Sequence, residues 1–264
     1  MYPKKRYGQH FLLPQWADKV VDAIAPRVDD RFLEIGPGPG VLTLRLAPRV
    51  AHLTAIEVDQ EMVDLLAPQL PGNVTLVHQD FLDTAIDAFS DRSAGPLRVA
   101  GNLPYNVSSP ILFRLIEMHK IHGGLADATL MLQREVAERI EAGPGSKTYG
   151  VLSISVQLHA NVRRVLALPP GAFRPAPKVH SSVLRLTFRP PAVVLQDEPT
   201  FESMVRSMFT QRRKTLSNAL KPFASARGRE AGAALRSAGI DPSRRPETLQ
   251  LDELTRLAEF FAPS

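Results

Sequence analysis

The stretch RFLEIGPGPGVLT, residues 31 to 43, decides the fold of this chain. It begins as a short apolar run, turns through glycines at 36, 38 and 40, and continues from Val41 with the spacing of a helix. Glycine has no Cβ, so the backbone can turn tightly there and come close to a ligand. A strand that enters a helix through such a turn is typical of the first unit of a doubly wound sheet, with a ligand at the turn.

Strand and helix patterns alternate on both sides of this turn. Because buried parallel strands are continuous apolar runs, we predict an α/β fold with a mainly parallel, doubly wound, Rossmann-like sheet. The predicted strands are RFLEIG, HLTAIEVD, NVTLVHQD, LRVAGN and ATLMLQ, and VRRVLAL and SSVLRLTF are expected to form an antiparallel pair that finishes the sheet. Helices are predicted over 13–27 and 151–160, and others begin near Val41, Gln60, Phe81 and Ser108.

The C-terminal part has a different organisation. Prolines and returning acidic residues between 188 and 199 predict a linker, and only helical patterns follow it. We therefore predict two domains, with residues 1–190 forming the sheet domain and residues 191–264 a small all-α domain. The helical patterns cover 200–210, 212–223, 228–238 and 251–261.

Composition excludes several classes of protein. The 264 residues contain no cysteine, which excludes disulfides and thiolate metal sites, and the scattered histidines predict no metal centre. No apolar stretch approaches the roughly 20 residues of a membrane-spanning helix, and the basic N-terminus lacks the apolar core of a signal peptide. We expect a cytoplasmic protein with neither a membrane nor a metal as partner.

The net charge of +5 is unevenly distributed. No Asp or Glu occurs from Ala142 to Gln196, a span that includes Arg174 and Lys178. A second basic cluster, QRRKT at 211–215, lies in the helical part. Surfaces normally mix both signs, so an acid-free span of this length predicts a polyanionic partner, with nucleic acid the first choice.

The glycine spacing distinguishes between two kinds of cofactor. The dinucleotide fingerprint G-x-G-x-x-G requires a glycine at position 41, where this chain has Val41. The observed G-x-G-x-G is the form of methyltransferases that bind S-adenosylmethionine, which has no pyrophosphate. We predict S-adenosylmethionine as cofactor. A simple tight turn is the alternative for the loop alone, and a nicotinamide-dependent oxidoreductase is disfavoured.

Acidic residues at successive strand ends support a cofactor. Glu57 ends the second predicted strand, where a carboxylate can accept hydrogen bonds from ribose hydroxyls, and Asp80 ends the third, where it can accept from an adenine amino group. Asp59 is better explained as a helix cap. Glu34 either helps to hold the cationic methionine portion or is satisfied by N–H groups of the loop, and both interpretations stay open.

Residues Asn102 to Tyr105, Asn-Leu-Pro-Tyr, end the next predicted strand and should face the same crevice. An adenine amine is a poor nucleophile because its lone pair is delocalised into the ring. Two acceptors, the Asn102 side-chain oxygen and the Leu103 carbonyl, can localise that lone pair, while Pro104 fixes the turn and Tyr105 stacks on the base. The motif predicts methylation of an amine on a planar base, which must be single-stranded or flipped out.

These motifs together resemble the ribosomal RNA adenine N6,N6-dimethyltransferase family, most closely its small-subunit KsgA type. The resemblance covers nearly the whole chain, and its blocks follow the family order. The blocks are YGQHFL, EIGPGPGVLT, NLPYNVSSPIL, MLQREVAERI, YGVLSISVQ, FRPAPKVHSSV and QRRKTLSNAL.

The resemblance implies roles for individual residues. It implies modification of two adjacent adenosines near the 3′ end of 16S rRNA within the immature 30S subunit. We expect a monomer, with rRNA bound by the helical domain. His10 replaces a frequent Asn, though both can bind the methionine carboxylate, and His180 stands where an acid or amide is usual. Implied cofactor contacts are His10, Leu12, Gly36, Gly38, Glu57, Asp80 and Asn102; implied target-base residues are Asn102, Leu103, Pro104, Tyr105 and Phe173; expected RNA contacts are Arg174, Lys178, Arg212, Arg213 and Lys214.

Two further alternatives remain. The macrolide-resistance 23S rRNA methyltransferases share most motifs but typically read Asn-Ile-Pro-Tyr, where this chain has Leu103. A ribosome-assembly or transcription factor could keep the fold and bind RNA without catalysis. A pure binding protein would not need the acids and the Asn-Leu-Pro-Tyr segment, which favours an enzyme.

Overall fold

The structure, a computed structural model, describes residues 10–85 and 95–263. The beginning of the YGQHFL block and most of the helix predicted from Phe81 lie outside these residues. Within them, Phe81–Asp83 forms a single 3-10 turn. No helix of the described ranges combines the length and the apolar character needed to cross a membrane. The chain divides into two compact units, Met1–Ala137 with Asn161–Phe188, and Glu138–Ala160 with Arg189–Ser264.

The first unit contains a seven-stranded sheet in the order β4-β3-β2-β5-β6-β9-β7. Its first five strands are parallel, and β9 runs antiparallel to β6. The predicted fold class is confirmed. The strands are β1 Phe11–Leu12, β2 Arg31–Ile35, β3 His52–Glu57, β4 Val74–His78, β5 Leu97–Asn102, β6 Leu125–Gln133, β7 Ala160–Leu168, β8 Phe173–Arg174 and β9 Ser181–Phe188. The helices up to residue 160 are α1 Pro14–Ile24, α2 Thr43–Leu46, α3 Gln60–Leu66, α4 Ser108–His122, α5 Arg134–Glu141 and α6 Val151–His159.

Helix α1 shows how sequence produces local structure here. Proline occupies its first turn, where a missing N–H costs no hydrogen bond, and Ala25 ends it in the left-handed conformation with φ of 50°. Ala17, Val21 and Ile24 recur at three- and four-residue spacing and are all buried. Helix α5 was not among the helices predicted from the sequence.

The register of the parallel strands brings their carboxyl ends to one edge. Ile35 pairs with Ile56 of β3 and with Gly101 of β5, and Asn102 pairs with Met131 of β6. The residues that follow these positions therefore emerge side by side. Since β9 is antiparallel, its first residue, Ser181, lies at the same edge, opposite Gln133.

A second, two-stranded sheet was not expected from the sequence. Strand β1 pairs antiparallel with β8, so that Phe11 lies opposite Arg174 and Leu12 opposite Phe173. The Leu13 N–H also donates to the Ala172 carbonyl over 2.8 Å. This pairing brings the start of the described chain to the proline-rich loop that precedes β9.

The second unit is helical and has its own core. Its helices include α6, and residues 138–160, predicted to lie in the sheet domain, belong to it. The reason is packing: Tyr149, Ile154 and Leu158 are buried in one cluster with Phe201 and Leu220. The further helices are α7 Glu198–Thr210, α8 Leu216–Ser225, α9 Ala231–Ser237 and α10 Leu251–Glu259.

Candidate active site

A pocket of about 360 Å³ lies at the carboxyl edge of the parallel strands. Its volume is in the range of small-molecule sites, roughly 300–1,000 Å³. The predicted cofactor residues converge on it although they are far apart in the chain. The predicted site residues that line it are His10, Leu12, Glu34, Gly36, Gly38, Glu57, Asp80, Asn102, Leu103, Pro104 and Tyr105.

The glycine loop is built to accept a ligand without phosphate groups. Gly36, Gly38 and Gly40 have φ of 68°, 55° and 83°, a region that other residues rarely adopt. Their N–H groups are used within the protein, at the carbonyls of Ile56 and Pro37 and at the Glu57 carboxylate. A dinucleotide loop would instead present free N–H groups to the pyrophosphate, so this loop fits S-adenosylmethionine better than NAD.

Glu57 links the loop to the strand end. Its Oε2 accepts from the Gly38 N–H at 2.9 Å, and its Oε1 accepts from the N–H groups of Val58 and Asp59 at 3.0 Å. Burial raises the pKa of Glu57, and these three backbone hydrogen bonds oppose the rise. Each carboxylate oxygen accepts about two hydrogen bonds, so Oε2 keeps capacity for a ribose hydroxyl. Glu57 therefore both shapes the loop and can bind a ligand.

Glu34 is the most unusual carboxyl group in the pocket. It is 1% exposed, and its Oε2 and the neighbouring Thr43 Oγ1 are buried without a hydrogen bond of good geometry within the described ranges. Burial raises the pKa of Glu34 from 4.5 to about 7; the Thr43 hydroxyl opposes this rise and the charge of Glu57 adds to it. The loop N–H groups do not satisfy Oε2, which favours the interpretation that Glu34 faces a cation.

Asp80 caps a turn and keeps an oxygen available to a ligand. Its Oδ1 accepts from the Leu82 N–H at 2.9 Å and caps the 3-10 turn that follows β4. Asp80 is exposed, so its second carboxylate oxygen remains able to accept from an amino group. Asp59 caps α3 through the Glu61 N–H, as predicted.

The orientation of the Asn102 amide is determined by its neighbour. Its Nδ2 donates to the His10 carbonyl at 2.8 Å. A carbonyl can only accept, so the nitrogen must face His10, and Oδ1 is left as an acceptor on the opposite side of the amide. The Leu103 N–H donates to Met131 at 3.2 Å and holds the turn against β6. Two acceptors, Asn102 Oδ1 and the Leu103 carbonyl, therefore belong to one short, anchored segment.

Tyr105 is held at two points. Its hydroxyl lies 2.7 Å from Ser181 Oγ, and its ring stacks on the His10 imidazole with 5.3 Å between ring centres. Burial raises the pKa of Tyr105, and the Ser181 hydrogen bond opposes the rise. His10 is held in turn, because its Nδ1 donates to the Pro175 carbonyl at 2.8 Å.

Comparison with known proteins agrees with this geometry. The family model for ribosomal RNA adenine dimethylase matches residues 2–263. The chain belongs to the ribosomal RNA adenine dimethylase family. A curated relative, Ribosomal RNA small subunit methyltransferase A of Xanthomonas campestris, is 43% identical over 97% of this chain and 95% of its own length. The chain is thus an rRNA methyltransferase, and the predicted family and enzyme class are confirmed.

Solved structures of the dimethylase family and its neighbours have the same fold. A dimethyladenosine transferase from Plasmodium falciparum is 26% identical with a TM-score of 0.79, covering 96% of this chain and 97% of its own. The 23S rRNA methyltransferase ErmE is also 26% identical, with a TM-score of 0.68 and coverage of 94% and 98%. The curated small-subunit relatives favour the small-subunit enzyme over the 23S type and over a binding factor.

The surroundings of two predicted site residues differ from what the sequence indicated. Phe173, predicted to cover the target base, is 3% exposed and packs in the core with Leu12 and Leu168, because the β1–β8 pairing draws it inward. His10 was predicted to bind the methionine carboxylate. Since its Nδ1 donates to the Pro175 carbonyl, Nε2 is the ring nitrogen left to contact a ligand.

The basic residues separate into anchored and exposed groups. Arg185 bonds the carbonyls of Ala23 and Ile24, so it contributes to the fold although it lies in the acid-free span. Arg212 donates to the Ser146 carbonyl at 3.0 Å and lies 3.8 Å from Glu247. Both contacts hold its side chain within the helical unit. The exposed members of the predicted RNA contacts are Arg174, Lys178, Arg213 and Lys214, and His180 is exposed as well.

Sequence reasoning missed two members of the site. Thr43 sits beside Glu34, and Ser181 bonds Tyr105 across 76 residues of chain. Ser181 lies in a family block, but nothing in its local pattern predicts its partner. Among residues 10–85 and 95–263, no cluster of three or more His, Cys, Asp or Glu side chains could hold a metal ion.

Proposed function

We propose that this chain transfers methyl groups from S-adenosylmethionine to N6 of two adjacent adenosines in the 3′-terminal hairpin of 16S rRNA. It acts as a cytoplasmic monomer on the immature 30S subunit. The observation that carries the proposal is the orientation of Asn102, whose Nδ2 is committed to His10 and whose Oδ1 is left to accept from an amine. The Xanthomonas relative, named for the small ribosomal subunit, supports the choice of RNA.

The residues present fit S-adenosylmethionine. The unpartnered, buried Glu34 Oε2 suits a cationic group, Glu57 suits the ribose, and Asp80 suits the adenine amino group. The open space around Gly36 permits close approach of the ligand to the backbone. When bound, the cofactor supplies a methyl group on a positively charged sulfur.

The Asn-Leu-Pro-Tyr segment would activate and position the target amine. In the first transfer, Asn102 Oδ1 and the Leu103 carbonyl accept from its two N–H bonds and draw the nitrogen toward tetrahedral geometry. In the second transfer, one of these acceptors holds the single N–H that remains. Tyr105 stacks on one face of the flipped base. No strong general base is needed before transfer, because the amine becomes acidic once it is alkylated.

The decisive experiment incubates the protein with labelled S-adenosylmethionine and 30S particles that lack these methyl groups, and then maps the modified nucleotides. We expect label in dimethyladenosine at two adjacent positions near the 3′ end of 16S rRNA. Tight binding of the particle without methyl transfer would favour a non-catalytic assembly factor. Label only in 23S rRNA would favour the macrolide-resistance type.

Cofactor affinity should depend on pH through Glu34. Below its pKa of about 7 this carboxyl group holds a proton in the free protein. Binding a cation beside it favours the ionised form, so affinity should fall as pH decreases below 7, by up to about tenfold per unit. Calorimetry at pH 6, 7 and 8, in buffers with different ionisation enthalpies, measures both the affinity and the proton released.

The matched variant for this prediction is Glu34→Gln. It should bind S-adenosylmethionine more weakly and release no proton, which separates Glu34 from Glu57, whose pKa is also raised. A wild-type affinity that is constant from pH 6 to 8, with no proton release, would contradict the assignment of Glu34 to the cation.

The exposed basic residues should control RNA affinity and its salt dependence. Arg213→Glu and Lys214→Glu should each weaken binding to the 30S particle and reduce the slope of log affinity against log salt by about 1. Affinity for S-adenosylmethionine should not change. Filter binding at several salt concentrations measures the effect. Arg236→Glu, on the exposed side of α9, is the control, and an equal loss there would mean that net charge alone matters.

A further inference from the structure

Ser181 occupies an unusual place for a small polar residue. It is 2% exposed and begins strand β9, opposite Gln133 of the central strand β6. Its hydroxyl lies 2.7 Å from the Tyr105 hydroxyl. Ser181 is not among the residues that line the pocket. It is attached to the sheet through β9 and reaches Tyr105, which lines the pocket, through one hydrogen bond.

The ring of Tyr105 is fixed on two sides. His10 covers one of its faces, with rings inclined by 28°, so a flat base can stack only on the other face. Ser181 holds the hydroxyl end of the ring and thereby restrains swinging of the whole ring about Cβ. His10 is itself held by Asn102 and by the Pro175 carbonyl. The Tyr105 ring and the Asn102 amide therefore both contact the same residue, His10.

We propose that Ser181 is a positioning residue, which fixes where the Tyr105 ring lies and so places the target amine at Asn102 Oδ1. This inference rests on the proposed function. Methyl transfer requires the nitrogen in line with the methyl group, and a displacement of about 1 Å can slow such a step by about 10²-fold. A ring that pivots changes where a stacked base lies, without changing how much RNA surface the protein binds.

The chain provides a matched control in the next residue. Ser182 is 1% exposed, belongs to the same strand, and points to the opposite face of the sheet because side chains alternate along β9. Ser181→Ala should lower kcat about tenfold, equivalent to one neutral hydrogen bond, with KM for the 30S particle unchanged. Ser182→Ala should methylate at close to the wild-type rate.

A double-mutant cycle tests whether Ser181 acts through Tyr105. Tyr105→Phe removes the same hydrogen bond from the other side, so it should also lower kcat about tenfold, and the double variant should be no slower than either single one. Ser181→Thr, which keeps the hydroxyl, should recover most of the rate. Unfolding by denaturant, followed by circular dichroism, verifies that the variants are folded.

Failures of the two proposals can be distinguished. If the wild-type protein transfers no methyl group to 30S particles, the proposed function fails. If it does, but Ser181→Ala matches Ser182→Ala, the positioning role is overturned. A loss of about a hundredfold in the double variant would show that Ser181 acts independently of Tyr105, and an effect on KM alone would show a role in general RNA binding; both outcomes overturn the inference.

Discussion

Replacing Asn102 by alanine is expected to lower the rate of methyl transfer about 10²–10³-fold, the usual cost of removing one polar contact to a transition state. The reason is geometric. Asn102 Nδ2 is held by the His10 carbonyl at 2.8 Å, which directs Oδ1 to the other side of the amide, where it can localise the lone pair of the target nitrogen. Single-turnover transfer to 30S particles measures this step, and affinity for the particle should change little.

Asn102→Asp sharpens the test of the same mechanism. The aspartate keeps one oxygen but places the other against the His10 carbonyl, where two acceptors repel each other. We therefore expect a slow enzyme, despite the retained oxygen. If Asn102→Ala and Asn102→Asp both methylate at the wild-type rate, Asn102 is only part of a turn and the mechanism is wrong. Calorimetry on each variant separates a catalytic loss from weaker binding of S-adenosylmethionine.

Replacing Arg98 by methionine is expected to destabilise the protein by about 3–5 kcal/mol, because it removes the cation that pairs with two largely buried carboxylates. Arg98 donates to Asp30 and to both oxygens of Asp127, and also to the carbonyls of Ile24 and Ala25. All five N–H groups of its guanidinium are thus used. The side chains of Arg98, Asp30 and Asp127 are 10%, 14% and 13% exposed, so water can replace few of these bonds.

Denaturant unfolding of the full chain measures this loss. The control is Arg27→Met, whose ion pair with Asp29 is 76% and 71% exposed, and we expect a change below about 1 kcal/mol there. Arg98→Lys should also be destabilised, since an ammonium group cannot reproduce the five-donor fork. A stability of Arg98→Met equal to that of Arg27→Met would mean that the network is not needed to join the end of α1 to strands β5 and β6.

Local patterns in the sequence were sufficient to predict the parallel sheet. Strands β2, β3 and β5 are continuous apolar runs, and the turn that follows β2 is rich in glycine, so parallel order and the position of Gly36, Glu57 and Asn102 at one edge followed directly. The boundary between the two units was harder to predict from the sequence. Residues 151–159 read as a helix in isolation, but only burial of Ile154 and Leu158 with Phe201 assigns them to the helical unit.

By itself the sequence determined the fold class, the family and the cofactor loop, because these depend on residue types at short, regular spacing. Only the tertiary structure decided the contacts made across long stretches of chain. In the structure Phe173 is buried in the core, and Arg212 is hydrogen-bonded to Ser146 and paired with Glu247. Tyr105 and Ser181 are joined by a hydrogen bond. The physical reason is that side-chain partners far apart in the chain leave no periodic signal. The antiparallel entry of β9 sets the pair of Tyr105 and Ser181, and the pairing of β1 with β8 sets the place of Phe173. Packing within the helical unit sets the partners of Arg212.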